Sequence, residues 1–207
     1  MRNEETMLID RCLPDFDVTE VHDIEVDAPP AVAYAAIRKA DLRDPVISAL
    51  FAVRELPNRV ARRLRGDPPP AAPKSFTFQD VDAAALGWVL LGESLDKEKE
   101  LEFVVGSVGR FWKRDYGWRP IPPNEFATFS EPGFAKIGLS FSVRPLGFDR
   151  SILRYEARTA TTDDTARKRF RRYWMIIRPG VSIVMRRALA RIKAEAERRQ
   201  RAPSRRS

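Results

Sequence analysis

His22 is the only histidine of the chain and Cys12 its only cysteine, so few kinds of chemistry are open to it. A zinc centre of histidine and cysteine would lack ligands. A lone thiol excludes an internal disulfide framework and fits a reducing compartment, with the cytoplasm as the expected location. His22 falls in the run Val18-Thr-Glu-Val-His-Asp-Ile-Glu-Val26 and shares the alternate positions with Val18, Glu20, Ile24 and Val26. An imidazole aimed inward from there can act as a general base or as a hydrogen-bond anchor. The plainer reading is a half-buried histidine at a strand edge. Tyr155 offers a phenol to a bound polar group, or is simply a core tyrosine with its hydroxyl at the rim. These are the only two groups to name for proton transfer.

No glycine-rich phosphate loop follows a strand, and no G-x-S-x-G elbow is present. Gly106-Ser-Val-Gly109 lacks a lysine and a strand-to-helix setting, so it reads as a bend or bulge within a strand. Glu156 and Arg158 lie two apart on the polar side of a strand and read as structural. Arg110–Arg119 interleaves basic and aromatic residues, a composition used by single-strand binders, but nothing places those aromatics on one exposed surface. No cofactor and no metal is implied by any of this.

The elements that must position His22 and Tyr155 follow from periodicity. After a loosely held lead-in (1–17), a strand covers Val18–Val26. Pro30 opens a helix to Ala40, and Asp44-Pro45 starts a second, with Val46, Leu50 and Val53 at helical spacing. Gly66–Pro73 is a stiff proline-rich connector. Strand-like runs then cover Leu86–Glu93, Lys99–Trp112, Glu125–Ser130, Phe134–Arg144 and Ser151–Ala160, with Leu95–Glu98 as a hairpin turn. Ala135, Ile137, Leu139, Phe141 and Val143 share one side of their strand; Leu153, Tyr155 and Ala157 share one side of the next. A sheet with a dry face needs a cover. Phe170, Trp174, Ile177, Val181, Val184, Ala188 and Ile192 supply it, falling within about 80° of a helical wheel over 164–198. The stripe keeps register through Pro179-Gly180, which predicts one kinked helix.

Charge is concentrated in the same region. Residues 161–207 carry 15 Lys+Arg and 4 Asp+Glu, and the other 160 residues carry 22 and 25. An electrostatic partner would therefore be met at the C-terminal helix and the basic tail, where anionic lipid is a candidate and nucleic acid a weaker one. A solvated helix face explains the same charges.

The order strand, two helices, antiparallel meander, long C-terminal helix resembles the helix-grip domains. The chain is similar to the START-like, polyketide-cyclase-like (SRPBCC) superfamily, in an uncharacterised bacterial branch, over about 18–198. The segments carrying the likeness are Ile24–Pro30, Val105–Trp112, Glu131–Lys136, Tyr155–Arg158 and Phe170–Trp174. The resemblance implies an α+β fold: a curved antiparallel sheet of six or seven strands wrapped around a long kinked C-terminal helix, with two short helices after the first strand. It also implies an apolar cavity between sheet and helix. Phe141, Tyr155, Phe170, Trp174 and Ile177 are the expected lining, with Trp88, Phe103 and Phe129 as further candidates.

The expected function is carriage of a hydrophobic small molecule, such as a lipid, a polyketide-like compound or another aromatic. A cyclase- or dehydratase-like enzyme using the same pocket through His22 and Tyr155 is the second reading. An anionic-surface binder acting through the C-terminal helix and tail (199–207) is the third.

Overall fold

A computed structural model describes residues 7–41, 45, 87–95, 100–113 and 115–201. The second expected helix, the proline-rich connector, most of the Leu95–Glu98 turn and the end of the tail lie outside them. The elements are α1 (Leu8–Cys12), β1 (Val18–Val26), α2 (Pro30–Lys39), β2 (Trp88–Ser94), β3 (Leu101–Gly109), a 3-10 turn (Pro123–Glu125), β4 (Ala135–Pro145), β5 (Ser151–Thr161) and α3 (Asp164–Arg201). The strands form one antiparallel sheet in the order β1-β5-β4-β3-β2. Covered by a long C-terminal helix on one face, this is a helix-grip arrangement.

Five strands are present among the described residues, against six or seven expected. Glu125–Ser130 is not one of them. Pro122 and Pro123 precede it and cannot donate to a ladder, and the chain turns at Pro123–Glu125 to drive Phe126 into the sheet. Nor does β3 bulge at its glycines: it pairs with β4 residue for residue from Leu101 to Gly109. The register shift is in β2, between Leu90 and Gly92.

The register sorts the sheet into two faces. The inner face carries Ile24, Leu153, Tyr155, Leu139, Phe141, Val143, Leu101, Phe103 and Val105 across successive strands. Among the described residues two helices cover it. α2 opens with Pro30 in its first turn, where no amide hydrogen is needed, and buries Ala33, Tyr34, Ala36 and Ile37. The Tyr34 hydroxyl donates to Glu93 Oε1 at 2.6 Å, tying α2 to β2. α3 is capped by Asp163, which accepts from the amides of Ala166 (2.8 Å) and Gly133. It runs on without interruption past Pro179, as the stripe requires.

The outer face is also covered, which periodicity did not reveal. Residues 8–13, expected to be loosely held, form a short helix and its exit, with Ile9 and Leu13 buried. The reason is Glu102, a carboxylate only 3% exposed on β3. It accepts from the amides of Leu8 (2.6 Å) and Ile9 (3.1 Å) and from the Ser140 hydroxyl (2.7 Å). A carboxylate at a helix N-terminus is favoured by the free amides and the helix dipole, and a buried one must be fully partnered. Arg158 continues this polar row, meeting Glu156 at 2.6 Å, Asp10 at 2.7 Å and the Leu13 carbonyl at 3.3 Å. Glu156 and Arg158 are thus structural, as expected.

Glycines make room for this layer. A Cβ on Gly92 would lie 2.9 Å from Leu8 Cδ2, and one on Gly106 only 2.6 Å from the Phe126 ring and 2.7 Å from Leu91 Cδ1. Gly106→Ala should therefore destabilise the fold by about 1–3 kcal/mol through overpacking, read as a lower urea midpoint.

Asp17 gives a pH test. Burial alone would raise its pKa, but the hydroxyl and amide of Thr161 and the Arg167 guanidinium outweigh that and hold it below the ordinary carboxylate value. A group whose folded pKa is depressed stabilises fully above its unfolded pKa, about 3.9, and loses that contribution as pH falls through the folded value. Urea midpoints of the parent chain and Asp17→Asn should differ most above about pH 4 and converge in stronger acid.

Candidate ligand-binding site

Among the described residues the inner face is fully buried at one end and half-buried at the other. At the closed end Met185, Ala188, Leu189, Ile192 and Ala196 of α3 are buried with α2 against Val26, Leu101, Phe103, Phe141, Val143 and Leu153. Over residues 174–184 of α3, between the buried Phe170 and Met185, the residues turned to the same sheet are only half-buried. They include Trp174, Ile177, Val181 and Val184, and Trp88, Leu90, Ile137, Leu139 and Ala157 on the strands are half-buried as well. The cause lies in what the helix packs on. α3 lies against α2, β1 and β5, so the apolar residues of β2 and β4 are left to one side of it.

Beside this band two polar groups lack a hydrogen-bond partner among the described residues. The Trp112 indole Nε1 is buried with no hydrogen bond, its ring edge-on to Phe170 at 6.4 Å. Tyr155 is 8% exposed and stacks on Phe141 at 4.0 Å. Burial alone pushes its phenol well above its usual pKa, and no hydrogen bond to the hydroxyl contributes. The phenol is therefore a neutral donor near pH 7 and cannot serve as a base there.

His22 lies directly across the β1–β5 ladder from Tyr155, facing inward as its register predicted. Its Nε2 is 3.1 Å from Glu20 Oε1 and 3.0 Å from Ser182 Oγ on α3. Arg178 Nε donates to the other Glu20 oxygen at 3.1 Å. A carboxylate only accepts, so the contact to Glu20 requires the proton on Nε2. The nitrogen facing Ser182 is then a donor and cannot take the serine proton. The trio is not a nucleophile with its base; it is a polar clasp holding mid-helix to the sheet edge.

The expected lining residues separate into groups. Tyr155, Trp174, Ile177 and Trp88 border the half-open band. Phe141 and Phe103 lie behind it in the closed core, with the Arg38 guanidinium over the Phe103 ring at 5.2 Å. Phe170, 1% exposed, fills the end near Trp112 and Trp174. Phe129 is a correction: it packs edge-on to Phe134 at 5.8 Å in the cluster with Leu13, Val108 and Phe126 on the outer side. It was assigned to a strand that does not form, and so to the wrong layer. Sequence reasoning missed Ser182, Arg178 and Trp112, because no periodic pattern marks a polar contact between distant elements.

Among the described residues no group of His, Cys, Asp and Glu is arranged to hold a metal. No helix among them is long and apolar enough to cross a membrane.

Comparison with known proteins finds no matching family model and no matching curated protein. Solved structures give distant likenesses. The chain is similar to a hypothetical protein of Helicobacter pylori, with 10% identity and a TM-score of 0.41 over 90% of this chain and 93% of the other. It is similar to a point mutant of norcoclaurine synthase from Thalictrum flavum in complex with a transition-state analogue, at 11% identity and 0.34 over 87% and 97%. It is similar also to an aromatase/cyclase from a Streptomyces species, at 13% and 0.28 over 90% and 98%. The helix-grip description rests on the sheet order and helix given above.

If the Tyr155 hydroxyl has no protein partner, removing it should leave the fold intact. Tyr155→Phe is expected to stay within about 0.5 kcal/mol of the parent in urea unfolding, where loss of an internal hydrogen bond would cost about 1 kcal/mol.

Proposed function

We propose that the chain binds a hydrophobic small molecule, such as a lipid, a polyketide-like or another aromatic compound, in the half-open space between the inner sheet face and the first half of α3. The observation that carries this reading is the coincidence of two features. Among the described residues an apolar band is only half-buried beside a closed core, and two donors lie next to it: Trp112 Nε1, buried without a hydrogen bond, and Tyr155 Oη, which makes no hydrogen bond to a described residue. Ligand sites are mostly apolar with a few convergent polar groups, and that is the composition here. The apolar part of the guest would lie along Trp88, Leu139, Trp174 and Ile177, with an acceptor such as a carbonyl or hydroxyl oxygen turned to Tyr155.

Carriage suits these residues better than turnover. Tyr155 is a donor held neutral by burial, and His22 is engaged by Glu20 and Ser182. Among the described residues, an acid-assisted cyclisation or dehydration would have to draw on Tyr155 alone.

Gently purified protein, extracted under denaturing conditions and examined by mass spectrometry, is expected to release an apolar compound. An apolar fluorophore should bind the emptied chain, and Val181→Trp, which fills the gap from the helix side, should abolish that binding while the fold persists. Tyr155→Phe should weaken an acceptor-bearing ligand about fivefold, the equivalent of one hydrogen bond near 1 kcal/mol. A chain that yields no compound and binds no apolar fluorophore would refute the proposal.

A further inference from the structure

We infer that the outward side of α3, from Lys168 to Arg186, is a docking face for a bilayer surface that contains anionic lipid. This inference does not depend on what the interior binds.

Three large apolar side chains stand exposed on this helix: Met175 at 72%, Ile176 at 80% and Ile183 at 42%. At about 100° per residue, Lys168, Arg172, Met175, Ile176, Pro179, Ile183 and Arg186 fall within an arc of about 100°, turned away from the sheet. A single exposed aliphatic residue needs no explanation. Two fully displayed neighbours with a third two turns on, among cations, are the pattern of an interfacial helix.

Charge selects the occupant. Residues 165–194 contain ten Lys+Arg and no Asp or Glu. Toward the C-terminus four cations share two carboxylates within the helix: Lys193 and Arg201 pair with Glu197, and Arg198 and Arg199 with Glu195. Lys168, Arg171, Arg172 and Arg186 make no ion pair among the described residues. Among the described residues, cations without an ion pair thus stand beside the exposed apolar residues. A polyanion such as nucleic acid would use the cations but gain little from Met175 and Ile176; a charged bilayer uses both.

The test is co-sedimentation of the full chain with vesicles of phosphatidylcholine alone or mixed with phosphatidylglycerol. Binding is expected to the mixed vesicles only, weakening as salt rises. Each cation near such a surface contributes on the order of 1 kcal/mol, so Arg172→Gln with Arg186→Gln should reduce partitioning about 25-fold. Met175→Ser with Ile176→Ser leaves every charge in place and should reduce it about tenfold or more. These side chains are exposed, so melting temperatures should not move, and a chain ending at residue 201 should bind as well as the parent.

Several results would overturn the inference. One is equal binding to uncharged vesicles or to none; another is loss of binding with residues 202–207. So would a serine pair that binds mixed vesicles as the parent does, which would mean a purely electrostatic contact. A parent that sediments as a dimer in the absence of vesicles, and becomes monomeric in the serine pair, would assign the face to a second copy of this chain.

Discussion

A strand buried along its whole length cannot stand at a surface. Every residue of β3 from Leu101 to Gly109 is buried, so the sheet is a middle layer and both of its faces need covers. That constraint organises the rest of the molecule. On the outer side it calls for α1 and Phe126, and for glycines at 92 and 106 that let them approach. It also puts a carboxylate, Glu102, in the interior, where only the paired amides of α1 and the Ser140 hydroxyl make it tolerable.

The two covers differ in completeness. The outer one is short and held by polar contacts at defined points. The inner one, among the described residues, is a long helix packed over β1 and β5, with the sheet fully buried where α2 lies beside it. The half-open band is the product of that asymmetry. Among the described elements one cylinder faces more sheet than it spans, helix diameters being about 10 Å against about 4.8 Å per strand. The clasp of His22, Glu20, Ser182 and Arg178 sits at the boundary between the two regimes.

Much of this was legible from period alone. The alternation in β4 and β5 and the stripe from Phe170 to Ile192 are strong signals, because burial on one side imposes them. They fixed the inner face and the continuity of α3 past Pro179. What escaped was set by contacts far apart in the chain. Five residues around Ile9 carry too little periodicity to be read as a helix, and their anchor lies more than ninety positions away at Glu102. Phe129 was misplaced for a related reason: a run that looks like a strand carries no mark of the prolines' effect on its direction. Gly106 looked like a bend, although its work is to admit Phe126.

The length of α3 has one more implication. Its 38 residues span about 57 Å at 1.5 Å each, whereas the 11 residues of β5 reach about 36 Å at 3.3 Å each. A beam longer than its seat overhangs it, and Pro179, which leaves one rung of the helical ladder unmade, lies near its midpoint. The beam is therefore least braced against bending where it crosses the half-buried band.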